Sequence, residues 1–207
     1  MKSGVNEYWS QKVLRYWHER RNDLNTRTLL ALLRKNIKVY MPTKILEIGC
    51  GPGIFTHSLS KAARVIALDI SMEMLKFVKN KRIKVELLQA DMDYLPFKAN
   101  SFDAIVAYRV MEYSKTPIRT LISFSKLSST VLLQLPRHDS INGFLLLLYR
   151  TILTFFGPSP FFKSYSKKGA IRLARKVGFK IESVTAYNNG LDMHLTITTH
   201  GALSHSI

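Results

Sequence analysis

Glu47, Gly49, Gly51 and Gly53 stand at alternate positions in the run Ile-Leu-Glu-Ile-Gly-Cys-Gly-Pro-Gly (residues 45–53), and the next apolar run ends in Asp69. The glycines let a backbone turn sharply and approach a ligand with no Cβ atoms in the way. An acid 20 residues after Gly49 suits the hydroxyls of a ribose, so the combination reads as a site for a nucleoside cofactor. The spacing also separates cofactors. A dinucleotide fingerprint runs Gly-x-Gly-x-x-Gly, whereas here the order is Gly-x-Gly-x-Gly with Glu47 two residues ahead. An acid in the loop repels a pyrophosphate and suits a cationic ligand.

Elements must hold these groups in place. Lys44–Ile48 reads as a buried parallel strand entering the glycine turn, Ile54–Leu59 as the start of a helix whose amides face the same crevice, and Arg64–Asp69 as the second strand. Helical spacing runs through Tyr8–Arg21 and Thr26–Lys35, and helices are expected at Met72–Asn80 and Pro117–Leu127. Further strands are expected at Ile83–Gln89, Asp103–Tyr108 and Thr130–Leu135. Phe179–Ala186 and Leu191–Thr198 around Asn188-Asn189-Gly190 read as an antiparallel hairpin.

With that order of elements, the chain resembles the class I S-adenosylmethionine-dependent methyltransferases, and within them the type 11 group. Glu47–Gly53 looks like the family's first motif and Asp69 like its acidic ribose residue. Residues 87–103 look like the segment between its third and fourth strands. The resemblance covers residues 40–185 or so. It implies an α/β, Rossmann-like, doubly wound, mostly parallel sheet of seven strands, with a C-terminal antiparallel hairpin and an N-terminal helical cap. It further implies Glu47, Gly49, Cys50, Gly51, Asp69, Ile70, Asp91, Met92 and Tyr108 as cofactor-binding residues, Asp91 accepting the adenine amino group and the Met92 amide reaching a ring nitrogen. S-adenosylmethionine is then the methyl donor, S-adenosylhomocysteine the product, and no metal is required.

Methyl transfer from a sulfonium is an in-line displacement, so the protein mainly aligns nucleophile, methyl and sulfur. An oxygen or nitrogen nucleophile also needs a base. Candidates near the expected pocket are Glu112, Tyr113, His138 and Asp139, with His194 and Tyr108 behind them. Arg109 either holds an acidic group of the substrate or pairs with Glu112. An Asn/Asp-Pro-Pro-aromatic loop is absent after the fourth strand, where Tyr108-Arg109-Val110-Met111 stands, which disfavours an amide or adenine nitrogen as acceptor. The lone Cys50 supplies neither a disulfide nor a thiolate pair for pyrimidine carbon chemistry. The family's Gly-Gly before its fifth strand is replaced by Ser128-Ser129.

Composition fits one domain over residues 1–207: a helical cap (1–40), a cofactor-binding core (41–136), a substrate-covering segment and helix (137–178) and a closing hairpin and tail (179–207). The polar start lacks a signal-like apolar stretch, so a cytoplasmic protein is expected, one able to sit peripherally on a membrane. The formal net charge of +17 divides into excesses of +6, +5 and +6 over residues 1–40, 41–136 and 137–207, densest in the flanks. A basic rim suits RNA, an anionic membrane surface or an acidic small molecule, and equally suits a plain solvated surface. Aromatics Tyr8, Trp9, Tyr16 and Trp17 are spaced to place Tyr8 with Tyr16 and Trp9 with Trp17 near one face, either packing the cap or closing over the cofactor. Phe144–Phe156 is apolar nearly all round yet too short to span a bilayer of about 30 Å. It reads as a pocket wall for a greasy acceptor, as core, or as a membrane or homodimer contact. Three functions follow: a methyltransferase for a small or amphipathic, including lipid-like, acceptor; an RNA methyltransferase; or a cofactor-binding partner protein without catalysis.

Overall fold

The computed structural model describes residues 3–145, 148 and 163–199. Helices α1 (Ser3–Ser10), α2 (Val13–Arg20) and α3 (Leu24–Tyr40) precede the sheet. Then follow β1 (Lys44–Ile48), α4 (Thr56–Leu59), β2 (Arg64–Asp69), α5 (Met72–Asn80), β3 (Glu86–Gln89), β4 (Phe102–Ala107), α6 (Pro117–Leu127) and β5 (Ser128–Pro136). Helix α7 (Lys167–Lys176) leads into β6 (Phe179–Tyr187) and β7 (Asp192–Thr199).

The seven strands lie in the order β3-β2-β1-β4-β5-β7-β6. The first five are parallel, and β7 enters antiparallel between β5 and β6. The Rossmann-like sheet and its closing hairpin are therefore present as expected. Both faces are covered, which explains why the central strands are apolar at nearly every position. Leu46, Ile48, Leu68, Ile105 and Leu133 pack with Leu121 and Phe124 of α6 and Ala170 and Ala174 of α7. Alternate residues Ile45, Val65, Ala67, Val106 and Leu132 pack with Leu29 and Leu33 of α3 and Leu75 and Val78 of α5. Strand order reverses between β1 and β4, and the crevice at their carboxyl ends is where open α/β sheets bind ligands.

Local chemistry sets the helix ends. Asp23 caps α3 by accepting the Thr26 amide (2.6 Å), and Ser71 and Ser166 cap α5 and α7 in the same way. The expected Tyr8–Arg21 helix is broken, because the chain turns at Gln11-Lys12 and Lys12 adopts non-helical angles. The break lets α1 lie on α5, where the Ser10 hydroxyl bonds the Ser71 hydroxyl (2.9 Å) and Glu73 (2.8 Å). β3 starts later than expected, since Arg82 sits at a φ of 57° and a turn from Ile83 to Val85 precedes it. Helix α4 is also shorter, with turns filling residues 51–55.

Most of Phe144–Phe156 lies outside the described residues, so its expected roles as pocket wall, core, membrane contact or homodimer seam go unaddressed there. The described helical residues beside it expose Ile141, Phe144, Leu145 and Leu148. Among the described residues no helix is long and apolar enough to cross a membrane.

Candidate cofactor and acceptor site

The glycine loop is built on left-handed backbone, with one contact that excludes a side chain. Gly49, Gly51 and Gly53 all have positive φ, at 67°, 52° and 82°. A Cβ on Gly49 would fall 2.5 Å from Val110 Cγ2, in the segment after β4, so the loop and that segment meet backbone to side chain. The Cys50 amide donates to Leu68 O (2.9 Å), tying the loop to β2. Asp69, at the end of β2, accepts from the Gly51 amide through Oδ2 (2.8 Å) and from the Ser71 amide through Oδ1 (2.9 Å). Burial raises its pKa while these amides oppose the rise, leaving an oriented carboxylate at the crevice floor.

A largely apolar cleft opens above this loop. Eight of the nine expected cofactor residues line it: Gly49, Cys50, Gly51, Asp69, Ile70, Asp91, Met92 and Tyr108. Glu47 does not. It belongs to the face of β1 turned toward α3 and α4, is 3% exposed, and leaves Oε2 without a hydrogen-bond partner. Burial pushes its pKa up to about 8, with Thr56 opposing and Asp69 adding to the rise. Val5, Trp9 and Tyr16 of the cap line the other side. Trp9 stands edge-on to Tyr113 (5.7 Å) and to Tyr16 (5.2 Å), whereas Trp17 packs on Phe77 beneath Lys81. The expected placement of Trp9 and Trp17 near one face is thus corrected by the helix break, which turns the two tryptophans to different neighbours.

A second, polar cavity adjoins the first, and Trp9, Tyr16, Arg109 and Tyr113 line both. Its remaining walls come from Tyr8, Lys12, Arg15, Glu19, Arg20 and Asn25 of the cap, Glu112, Gln134 and Pro136 near the sheet, and Asn188, Leu191 and Asp192 of the hairpin turn. Asp93 fixes the segment carrying Glu112 and Tyr113: it accepts from the Ser114 and Thr120 hydroxyls (both 2.6 Å) and the Lys115 amide (3.1 Å).

Of the four expected bases, Glu112 and Tyr113 meet at this cavity, and Tyr113 also lines the first; Asp139 lines neither and accepts from Arg137 Nε (2.8 Å) and the Lys167 amide (2.7 Å). His138 lines neither cavity, its Nδ1 lying 3.0 Å from the Ser164 hydroxyl. His194 holds the Tyr108 hydroxyl through Nε2 (2.8 Å). Burial lowers the His194 pKa to about 4 and raises that of Tyr108, so neither is poised to take a proton near neutrality. Sequence reasoning missed Gln134 and Asp192 as cavity residues. A lone glutamine in the buried run Thr-Val-Leu-Leu-Gln-Leu-Pro (130–136) was the available signal.

A methyltransferase-domain family matches residues 45–125. A malonyl-[acyl-carrier protein] O-methyltransferase from Legionella pneumophila is 36% identical over 81 residues, 36% of this chain and 28% of that protein. A ubiquinone/menaquinone biosynthesis C-methyltransferase from Wigglesworthia glossinidia is 36% identical over 88 residues, 35% of each chain. The chain thus spans about a third of the length of such relatives. Among solved structures, magnesium protoporphyrin IX methyltransferase from Synechocystis, with bound S-adenosylhomocysteine, superposes with a TM-score of 0.74 at 15% identity, covering 96% of this chain and 100% of that one. An S-adenosylmethionine-dependent methyltransferase from Clostridium acetobutylicum gives 0.71 at 14% identity, covering 93% and 99%. Residues 45–125 thus match a methyltransferase domain, and the chain as a whole has the fold of these S-adenosylmethionine-dependent methyltransferase structures.

Proposed function

We propose that the chain transfers a methyl group from S-adenosylmethionine to a small or amphipathic acceptor seated in the polar cavity. The observation carrying this reading is the junction of two cavities, one floored by the glycine loop and Asp69, the other polar, with Tyr113 and Trp9 on the shared wall. The residues present fit the cofactor. Asp69 keeps lone pairs for ribose hydroxyls after accepting two amides, Asp91 and Met92 flank the far end, and the glycine at 49 leaves the loop bare of side chains. Bound S-adenosylmethionine supplies an electrophilic methyl on a sulfonium.

The chain's own part is alignment and the exclusion of water. Trp9 and Tyr16 cover the cofactor cavity from the cap, while Tyr113 presents its ring where the two spaces meet. Glu112 is the buried carboxylate beside that junction and the candidate acceptor of a proton from the nucleophile, with Tyr113 next to it. His138, off both cavities, is better placed to hold residue 164 than to do acid–base chemistry. Relatives named malonyl-[acyl-carrier protein] O-methyltransferase and ubiquinone/menaquinone biosynthesis C-methyltransferase support an acceptor with an apolar part. The basic flanks by themselves carry neither the RNA reading nor that of a non-catalytic partner.

The test is transfer of labelled methyl from S-adenosylmethionine across a panel of aromatic acids, quinols, fatty acids and bulk RNA. Turnover of a small acceptor, abolished by Tyr113→Ala and Glu112→Gln without loss of cofactor binding, is expected; turnover confined to RNA overturns the acceptor assignment.

A further inference from the structure

Arg109 is held in a conformation that costs energy. Its φ of 56° is left-handed, unfavourable for a side-chain-bearing residue by about 1 kcal/mol or more. Gln134 fixes it there, accepting the Arg109 amide through Oε1 (2.7 Å) and donating through Nε2 to Asp192 (2.8 Å), which Asn188 holds from the other side (2.7 Å). Three elements distant in sequence thus converge to aim one guanidinium at the wall shared by both cavities.

That guanidinium is 15% exposed and incompletely paired. Nη2 stands 3.6 Å from Asp23 Oδ1, too far for a hydrogen bond, and Asp23 already accepts the Thr26 amide (2.6 Å) and Arg20 (3.1 Å). Tyr16 hydrogen-bonds the group and Asp23 remains its ion-pair partner, yet Nη1 is buried with no hydrogen-bond partner. A buried cationic donor left unmatched is costly, and a carboxylate is the ligand whose geometry its fork meets. The same cavity carries Lys12, Arg15 and Arg20. Two of its carboxylates are committed, Glu19 to Arg15 (2.7 Å) and Asp192 to Gln134 and Asn188, and Glu112 is the third. Tyr8, Trp9, Tyr16 and Tyr113 add flat apolar walls.

We propose that Arg109 anchors a carboxylate of the acceptor, so that the site selects acidic molecules with an aromatic or otherwise apolar body. This rests on the polar cavity being the acceptor site. The competing source of a carboxylate is the amino-acid end of the cofactor itself, since Arg109 also lines that cavity.

Calorimetry separates the two. S-adenosylhomocysteine affinity is measured first, then the saturated protein is titrated with 2-naphthoate and with neutral 2-naphthamide, for wild type, Arg109→Gln and Arg109→Lys. The expected result is at least a tenfold preference for naphthoate in wild type. Arg109→Gln erases it and Arg109→Lys retains part of it, with S-adenosylhomocysteine affinity within threefold throughout. Equal binding of acid and amide, no binding of naphthoate, or a preference that survives in Arg109→Gln overturns the anchor. So does a tenfold loss of S-adenosylhomocysteine affinity with the naphthoate preference intact, which gives Arg109 to the cofactor. Should the Gln variant not fold, the wild-type acid–amide comparison and the Lys variant decide alone. Failure of wild type to bind S-adenosylhomocysteine sinks the methyltransferase reading instead, a separate outcome.

Discussion

The two adjoining cavities are built in different ways. The cofactor cavity is made of backbone: three left-handed glycines, amides tied to Asp69 and Leu68, and the carboxyl ends of β1 and β2, all within residues 48–92 apart from its rim. The polar cavity is made of side chains from stretches as far apart as Tyr8 and Asp192, meeting through Gln134, Arg109 and Asp23. A backbone-built site tolerates little change at its glycines and much around them. A site assembled from side chains can exchange its lining without disturbing the sheet, which suits one fold serving many acceptors.

Substitutions confined to one cavity break or sharpen that contrast. The largest effect is expected at Gly49→Ala, where a left-handed φ and the clash with Val110 together cost about 2–4 kcal/mol. Thermal unfolding should fall by roughly 5–15 °C, and cofactor affinity should fall with it; an unchanged melting temperature would show that the loop and the Val110 segment are not in contact.

Next comes Glu47, behind the loop. Its folded pKa near 8 lies above the usual glutamate value, so the folded state binds the extra proton and the ligand-free protein loses stability as pH rises from about 4.5 to 8. Even half of that shift is worth about 2 kcal/mol. His194, whose pKa is lowered to about 4, contributes the opposite slope below its unfolded value, so the comparison must be with Glu47→Gln rather than with wild type alone. Melting curves from pH 5 to 8 should show the variant gaining on wild type as pH rises; parallel curves would remove the buried charge from the account.

The smallest effect is expected at Gln134→Leu. Freed of its hydrogen bond, the Arg109 turn relaxes and Asp192 loses one donor, at a cost of about 1–2 kcal/mol. S-adenosylhomocysteine affinity should stay within about twofold, because Gln134 lines only the polar cavity. A tenfold loss there would merge the two sites into one.

This division also explains what was legible in the sequence. The glycine spacing, Asp69 and Asp91 announce the cofactor cavity because backbone sites are local: a strand, a turn and the next strand suffice to write them. The doubly wound sheet and its closing hairpin were readable for the same reason, through apolar runs and the Asn-Asn-Gly turn. Glu47 lies off the cavity lining, since strand alternation turns it to the opposite side from Leu46 and Ile48. Trp9 and Trp17 do not share the expected helix face because the helix is broken at Gln11-Lys12. Arg109, Gln134 and Asp192 come together only through β-pairing across long separations, as in the register of Pro136 with Asp192, which no local pattern encodes.

S-adenosylmethionine is proposed to be held by residues 48–92 with Asp69 on its ribose. Calorimetric titration of wild type and Asp69→Asn with S-adenosylhomocysteine, with NAD as control, tests it most directly. The account predicts micromolar-range binding to wild type, roughly a hundredfold weaker in Asp69→Asn as two charge-assisted hydrogen bonds are lost, and little response to NAD; equal affinity of the two proteins, or a preference for NAD, would contradict it.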